Sequence, residues 1–220
     1  GLVDSVSVGR YHACALTLKG RVRCWGVCNE GSCPAAMEKL TGVVAVSAGG
    51  RHTCVLLSSP LGKVQCFGPP EDALEAVVPR SVKNVTRVSA GNSATCVVQG
   101  PDGKAVCWND LFGAPPVIPK ERGVVQAEPG GFVLTANGTI ICFMTDGECS
   151  HYRSLSSPWP VRTISVPVSG FHMCALLRSG VLRCFKDERL DADDNLVSFD
   201  KGQAAVLPDL AVPGAVIGVA

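Results

Sequence analysis

The sequence has no surplus of charge and no long hydrophobic run. Among its 220 residues, 20 Lys and Arg stand against 19 Asp and Glu, which gives a formal net charge of +1. A protein that binds nucleic acid needs a basic surplus to neutralise phosphates, so this balance excludes binding driven by bulk charge. No uninterrupted apolar run of about 18 residues is present, so we expect no membrane span within the sequence.

The short motifs of common catalytic sites are also lacking. The sequence contains no G-x-S-x-G, no H-E-x-x-H, no Walker loop and no dinucleotide-binding fingerprint. We therefore expect no enzyme, no catalytic residue and no cofactor. Asp187 to Asp194 form an acidic stretch, but it lacks the Gly and the spaced ligands of a calcium loop. We interpret it as a solvated loop and expect no metal site.

Cysteine, in contrast, is abundant, with 12 residues. An even and high count is typical of a disulfide framework, because thiols kept reduced in the cytosol are seldom used so freely. We therefore expect an extracellular or cell-surface protein that follows the secretory pathway. The sequence begins at Gly1 without Met or an apolar leader, so we expect that any signal peptide has been removed or lies outside it.

One hairpin pattern recurs five times along the sequence. In each copy a Gly lies four residues before a Cys that is followed by an aromatic residue. These cysteines are 42, 41, 35 and 42 residues apart, so the repeat is about 40 residues long. Alternating polar and apolar residues, as in Arg21 to Trp25, predict strands, and the Gly predicts the turn. The glycines are Gly20, Gly62, Gly103, Gly138 and Gly180, and the cysteines are Cys24, Cys66, Cys107, Cys142 and Cys184.

A third short apolar strand precedes each hairpin, as in Val44 to Gly49, and ends in Gly where the chain must bend. Three-residue loops such as Leu18 to Gly20 are predicted at the hairpin tips, whereas Asn137-Gly138 predicts a two-residue type I′ turn. Units of this kind predict an all-β fold, a β-propeller with one small sheet per repeat. The predicted repeats cover residues 1–39, 40–80, 81–119, 120–160 and 161–206, and residues 207–220 open a next repeat. Residues 1–220 are therefore expected to be either a single propeller domain or a segment of a larger propeller.

Val6 to Gly26 show the pattern V-S-x-G-x-x-H-x-C followed by G-x-V-x-C-W-G. This segment resembles the repeat of the regulator of chromosome condensation family, and the copies with paired cysteines are most similar to the crinkly-type repeats of plant receptor-like kinase ectodomains. The resemblance extends to about Phe185 and implies a β-propeller, a scaffold with many unrelated uses. It also implies small-GTPase exchange, which fits poorly with twelve cysteines in an oxidising setting.

Opposed cysteines within the hairpins predict disulfides. A three-residue loop places Cys14 opposite Cys24, and directly opposed strand positions have the Cβ separation that a disulfide requires. In the fourth copy Phe132 stands at the first Cys position, so we pair Cys142 with Cys149 in the following loop. The predicted disulfides are Cys14–Cys24, Cys28–Cys33, Cys54–Cys66, Cys96–Cys107, Cys142–Cys149 and Cys174–Cys184.

His12, His52 and His172 each stand two residues before the first Cys of a hairpin. We interpret them as imidazoles hydrogen-bonded to backbone beside a glycine bend rather than as catalysts or metal ligands. Cys28 and Cys33 could hold zinc, but no second pair with zinc-finger spacing accompanies them, which favours a disulfide. The aromatic residues after the second Cys are predicted to pack between blades, and they are Trp25, Phe67, Trp108, Phe143 and Phe185.

Two N-glycosylation motifs, at Asn84 and Asn137, agree with a secretory route. The predicted function is an extracellular recognition module that binds a protein, peptide or glycan, as a receptor ectodomain or a secreted binder. The alternative is a structural repeat unit of a cell-surface or appendage assembly. We expect contact residues in the variable loops after the hairpins. These loops are Val27 to Lys39, Pro69 to Pro79 and Lys186 to Gln203.

Overall fold

The structure is a computed structural model, and it describes residues 2–28, 31–58, 62–69, 76–109, 123–143, 160–167, 172–186, 188–190 and 196–198. Within these residues the chain forms five three-stranded antiparallel sheets, one two-stranded sheet and one short helix. The all-β class predicted from the hairpins is confirmed. Residues 207–220, the predicted opening of a sixth repeat, lie outside the described residues.

Each three-stranded sheet, here called a blade, is built from three strands that follow one another in sequence. Blade 1 contains β1 (Val3–Val8), β2 (His12–Thr17) and β3 (Val22–Gly26) and is followed by α1 (Ala35–Glu38). Blade 2 contains β4 (Val43–Ala48), β5 (Thr53–Leu57) and β6 (Lys63–Phe67). Blade 3 contains β7 (Val85–Ala90), β8 (Thr95–Gln99) and β9 (Lys104–Trp108). Blade 4 contains β10 (Val124–Glu128), β11 (Phe132–Thr135) and β12 (Ile140–Cys142). Blade 5 contains β13 (Val161–Ser165), β14 (His172–Leu177) and β15 (Leu182–Lys186), and the two-stranded sheet contains β16 (Glu188–Leu190) and β17 (Leu196–Ser198).

The first strand of every blade carries a β-bulge at the same place. In blade 1 the pairing register shifts between Val3 and Ser5, and the same shift occurs between the first and third residues of β4, β7, β10 and β13. A bulge inserts one residue, bends its strand and increases the local twist. Because it recurs in all five blades, it belongs to the repeat.

The hydrophobic cores lie between consecutive blades. Leu16 and Val22 of blade 1 pack in one cluster with Val43 and Val55 of blade 2, and three further clusters join blades 2 and 3, 3 and 4, and 4 and 5. The first strands of successive blades also contact one another, from β1 to β4, β4 to β7 and β7 to β10. Sheets stacked around their first strands in this way are the blades of a β-propeller, so the predicted architecture is confirmed.

The hairpin glycines serve both the turn and the contact with the next blade. Gly20 has a φ of +65°, a conformation that glycine adopts without strain. Its carbonyl oxygen accepts a hydrogen bond from the N–H of Val43 in blade 2, at 3.2 Å. A Cβ at Gly20 would lie 3.1 Å from the carbonyl oxygen of Val43, so a side chain would press on the next blade. The same inter-blade bond joins Val85 to Gly62, Val124 to Gly103 and Val161 to Gly138.

The hairpin at Asn137-Gly138 has a three-residue loop, so the predicted two-residue type I′ turn is wrong. The N–H of Thr135 donates to the carbonyl oxygen of Thr139 at 2.9 Å, which encloses three residues. A type I′ turn needs positive φ at both central residues, but only Gly138 shows it, at +93°. Asn137 instead accepts a hydrogen bond from the N–H of Thr139 at 3.0 Å through its Oδ1 atom. The side chain of Asn137 therefore stabilises the same loop that blade 1 uses.

Candidate functional site

The cysteines close the hairpins of the blades. In each hairpin with two cysteines the Cα atoms of the pair are 4.0 Å apart, whereas those of the loop pair are 5.1 Å apart. Cys142 is disulfide-bonded, and Cys149, its predicted partner, lies outside the described residues. Since Cys28 and Cys33 are joined to each other, they are not zinc ligands. The disulfides within the described residues are Cys14–Cys24, Cys28–Cys33, Cys54–Cys66, Cys96–Cys107 and Cys174–Cys184.

The recurring histidines connect neighbouring blades. The Nε2 atom of His12 lies 2.7 Å from the Oγ1 atom of Thr53 in blade 2, and the Nε2 atom of His52 lies 2.8 Å from the Oγ1 atom of Thr95 in blade 3. The predicted glycine bend is present, since a Cβ at Gly49 would lie 2.7 Å from the His52 ring. The predicted backbone partner is wrong, because the bond runs to a hydroxyl about 40 residues later. His172 lies on β14, and its side chain is outside the described residues.

Both described imidazoles are neutral at physiological pH. Burial, and to a lesser extent repulsion from the imidazolium that His12 forms in acid, lower the pKa of His52 to about 4. Burial also lowers the pKa of His12. Neutral imidazoles without acidic neighbours are suited to a hydrogen bond between blades, and this arrangement offers no acid–base pair.

A second polar contact joins the first strands of the blades. The N–H of Ala48 in blade 2 donates to the hydroxyl of Ser7 in blade 1 at 2.9 Å. The N–H of Ala90 in blade 3 donates to the hydroxyl of Ser47 at the same distance. Each Ser therefore accepts a hydrogen bond from a backbone donor of the next blade.

Blade 4 replaces this contact by a buried carboxyl group. Pro129 stands at the position of Ala48 and Ala90 and has no N–H to donate. The hydroxyl of Ser89 instead donates to Glu128 Oε2 at 2.6 Å, and Gln126 Nε2 donates to Glu128 Oε1 at 2.7 Å. Burial raises the pKa of Glu128 to about 6, although these two hydrogen bonds and the charge of Arg87 oppose the rise. Gln126 continues the network by accepting the N–H of Ile164 in blade 5 at 3.1 Å.

The turns between the first and second strands of blades 1 to 3 form a continuous surface, here called the first-turn surface (residues 9–11, 49–51 and 91–93). Neighbouring turns are hydrogen-bonded, from the Arg10 N–H to the Gly49 carbonyl at 3.1 Å and from the Gly50 N–H to the Gly91 carbonyl at 2.9 Å. A Cβ at Gly50 would lie 2.7 Å from the Oδ1 atom of Asn92. The turns are therefore closely packed, because any larger residue at Gly50 would push them apart.

The first-turn surface presents cationic, aromatic and amide side chains to solvent. Arg10, Tyr11, Arg51 and Asn92 are all exposed, and the Arg10 guanidinium lies 5.1 Å from the centre of the Tyr11 ring. None of the residues in these three turns is acidic. Arg and Tyr are enriched at the energetic centres of protein interfaces, and a cationic surface favours an acidic partner. Sequence analysis missed this surface, because its members are about 40 residues apart.

The loop after the first hairpin is anchored to the core. Met37 on α1 is buried in the cluster between blades 1 and 2, and Glu38 forms an ion pair with Arg23 at 2.6 Å. The Val27 N–H donates to the Tyr11 carbonyl at 2.8 Å, so the loop begins beside the first-turn surface. Of the other two predicted contact loops, only residues 69, 76–79, 186, 188–190 and 196–198 are described.

Four of the five predicted aromatic residues pack between blades. Phe67, Trp108, Phe143 and Phe185 each belong to the cluster that joins their blade to the preceding one. Trp25 differs, since 53% of its surface is exposed. The sequence pattern places Trp25 with the others and does not reveal that its face is uncovered.

The described residues contain no group of three or more His, Cys, Asp or Glu residues arranged to hold a metal ion. The acidic stretch from Asp187 to Asp194 is described only at residues 188–190, which form β16. In the described part of the chain no helix has the length and hydropathy needed to cross a membrane.

Comparisons with known proteins identify the repeat and the fold. Residues 3–31 match the family model of the Regulator of chromosome condensation (RCC1) repeat. No curated protein sequence matches the chain. The chain is similar to the CRINKLY WD40 ectodomain of the Arabidopsis thaliana receptor kinase ACR4, with 19% identity and a TM-score of 0.62 over 84% of this chain and 65% of that one.

Two further solved structures have the same architecture. The ectodomain of the Physcomitrella patens receptor kinase CR4 is 15% identical, with a TM-score of 0.62 over 87% of this chain and 53% of that one. Prp20p of Saccharomyces cerevisiae, described with its binding to Gsp1p and histones, is 15% identical, with a TM-score of 0.63 over 90% of this chain and 65% of that one. The chain thus spans less than two thirds of each. These similarities show that the chain has the β-propeller fold of these three proteins.

Proposed function

We propose that this propeller, which resembles those of the regulator of chromosome condensation family, is an extracellular recognition module that binds an acidic segment of a protein or peptide. The observation that carries the proposal is the first-turn surface, where turns hydrogen-bonded to one another expose Arg10 and Tyr11 together. A rigid scaffold with functional side chains on its turns is the usual arrangement of a binding protein. We propose no catalytic step.

The disulfides support an extracellular location. Cys14, Cys54 and Cys96 are completely buried in the cores between blades, so their disulfides contribute to the packing of the propeller. Such bonds persist in an oxidising environment and are rare in the cytosol and nucleus. The plant receptor ectodomains provide an extracellular precedent for the fold, and a role like that of Prp20p is disfavoured by the same bonds.

Substitution of Arg10 tests the binding surface. Phage-displayed random peptides selected on the protein are expected to be enriched in Asp and Glu, and their affinity should fall about tenfold in Arg10→Ala, since a charge-assisted hydrogen bond contributes about 1.4 kcal/mol or more. Affinity is measured by surface plasmon resonance.

Lys19→Ala is the matched control, because Lys19 is an exposed cation at the hairpin tip, at the other end of blade 1. It should leave the affinity unchanged. Selected peptides without acidic residues, or an equal loss of affinity in both variants, would contradict the proposed surface.

Glycosylation tests the compartment. Asn137 is exposed at the tip of the blade 4 hairpin, where a glycan projects into solvent, and its motif is completed by Thr139. The native protein recovered from outside the cell is expected to lose mass on treatment with peptide N-glycosidase, with Asn137 converted to Asp. Asn84 is also exposed, and mass spectrometry assigns each site separately. An unmodified protein recovered from the cytosol or nucleus would contradict the extracellular proposal.

A further inference from the structure

An exposed cation occupies the same repeat position in three consecutive blades. Arg21, Lys63 and Lys104 each follow the glycine of a hairpin turn directly, and all three are exposed. None of them forms an ion pair with a residue that the structure describes. These three residues are here called the cation row. Thr139 and Val181 stand at this position in blades 4 and 5, so the row belongs to blades 1 to 3.

Backbone hydrogen bonds fix the spacing of the cation row. The glycine before each cation accepts a hydrogen bond from the first strand of the next blade, at 3.2 Å for Gly20, 3.0 Å for Gly62 and 3.1 Å for Gly103. Each cation is therefore joined to a residue that holds two blades together. Because stacked sheets lie roughly 10 Å apart, successive cations stand at intervals of that order or more.

Few acidic residues accompany the cation row. The strands that begin at the row, β3, β6 and β9, contain no Asp or Glu. Glu38, on α1 beside β3, is paired with Arg23 at 2.6 Å. Asp102, two residues before Lys104, is the one acidic residue in the hairpin turns of these blades. A negatively charged polymer therefore meets an attractive potential along blades 1 to 3.

The position of the row on edge strands restricts the kind of partner. In each of the five described blades the third strand is paired on one side only, with the second strand. A Lys or Arg on such an edge opposes pairing with a further strand. The Lys ammonium is a compact and strongly hydrated charge, whereas the centre of a protein interface is depleted of charge. These properties fit a hydrated polyanion that is contacted at separate points along its length.

We propose that the cation row binds an acidic polysaccharide, whose carboxylate or sulfate groups recur at regular intervals along the chain. One polymer that reaches several blades binds more tightly than a short one, because contact at one blade raises its local concentration at the next. The inference rests on the extracellular location proposed above, where acidic polysaccharides are common linear polyanions. It does not involve the first-turn surface.

Isothermal titration calorimetry with oligosaccharides of defined length tests the proposal. Galacturonate oligomers carry carboxylates and heparin fragments carry sulfates, so the two series show which group the row prefers. In the preferred series the affinity is expected to rise steeply once an oligomer spans two blades, since a disaccharide reaches one cation only. Absence of binding in both series, or an affinity that does not depend on length, would overturn the proposal.

Substitution of the row tests its location. The triple variant with Arg21→Gln, Lys63→Gln and Lys104→Gln is expected to lose affinity about thirtyfold, because one exposed ion pair contributes about threefold. Its affinity should also depend less on salt, since fewer counterions are released.

Arg162→Gln is the charge-matched control for Lys63→Gln alone. It removes an exposed cation from the first strand of blade 5 and should leave the affinity unchanged, whereas Lys63→Gln should lower it about threefold. Equal losses in the two variants would show that the polymer responds to the total charge of the protein and not to the row.

Asp102→Asn is expected to have the opposite effect. Removal of the negative charge beside Lys104 should raise the affinity about twofold, a gain that a misfolded variant cannot produce. An unchanged affinity would show that the polymer does not reach blade 3, and the proposed row would be wrong.

Two further measurements separate this site from the first-turn surface and from a protein partner. The triple variant should keep its affinity for the selected acidic peptides, whose test depends on Arg10, and a parallel loss would show that the row is not a separate site. Poly-glutamate with the same number of charges should bind more weakly than the oligosaccharide, because a flexible polypeptide loses more conformational entropy on binding. Tighter binding of poly-glutamate would identify an acidic protein segment as the partner and overturn the proposal.

Discussion

Lowering the pH from 6.5 to 4 is expected to reduce the free energy of unfolding by about 3 kcal/mol through His52 alone. Burial holds the pKa of His52 at about 4 in the folded protein, whereas its ordinary value is 6.5. Between these values the unfolded chain binds a proton that the folded chain does not. The contribution of His52 to the free energy of unfolding is therefore complete above pH 6.5 and is lost as the pH falls through about 4.

His52→Gln is expected to remove this loss. The amide nitrogen of Gln can reach the Thr95 hydroxyl as the imidazole Nε2 atom does, and it does not titrate. Urea unfolding followed by circular dichroism from pH 7 to 4 measures the effect. The variant should lose about 3 kcal/mol less than the wild type over this range. An unchanged pH dependence would show that His52 is protonated as readily in the folded protein as in the unfolded one.

Glu128→Gln provides a control of opposite sign. The pKa of Glu128 is raised from 4.5 to about 6 in the folded protein, so its stabilising protonated form is complete below pH 4.5 and is lost as the pH rises through about 6. Between pH 7 and 4, the Glu128→Gln variant should therefore lose about 2 kcal/mol more of its free energy of unfolding than the wild type. In acid, His52 therefore lowers the free energy of unfolding and Glu128 raises it. Removing either group by substitution allows the effect of the other to be measured.

Removal of the Cys54–Cys66 disulfide is expected to destabilise the protein by about 3 kcal/mol. The bond closes a loop with a sequence separation of 12 residues, and Cys54 is completely buried in the core between blades 2 and 3. Cys54→Ala combined with Cys66→Ala increases the conformational freedom of the unfolded chain and leaves space beside Trp108 in the same core. Urea unfolding measures the loss.

Cys28→Ala combined with Cys33→Ala is the matched control. This bond has a sequence separation of 5 residues and closes a loop outside the sheets, so its removal should cost about 2 kcal/mol. The hairpin variant is expected to be the less stable of the two. If the loop variant had the lower free energy of unfolding, the idea that the hairpin disulfides stabilise the protein through the cores between blades would be wrong.

The architecture could be predicted because it repeats. One hairpin shows alternating residues, a turn glycine and opposed cysteines, and five copies make the pattern unmistakable. The departures arise where two repeats meet. The Thr95 hydroxyl that binds His52 lies 43 residues away in the sequence. The residue pattern within one repeat therefore does not show that the two side chains are in contact. A comparison of successive repeats could have found it, because His in one repeat accompanies Thr in the next.

The buried Glu128 shows a different reason for a missed feature. Glu usually lies at the surface, and nothing in the local sequence marks this residue as buried. Its place follows from Pro129, which removes a backbone donor, and from Ser89, whose hydroxyl then needs another partner. A proline at the end of a first strand is visible in the sequence, but its effect depends on the blade beside it.

The location of the cores between blades also sets an order during synthesis. The disulfide face of each blade remains open until the next repeat, about 40 residues later, has left the ribosome. Cys14, Cys54 and Cys96 are therefore accessible to an oxidising enzyme only during that interval, because each is completely buried once its neighbour has packed. The hairpin disulfides should thus form in order from the N-terminus, each before the next blade packs against it. If synthesis or folding of a repeat is delayed, the cysteine pair of the preceding blade remains accessible to thiol–disulfide exchange.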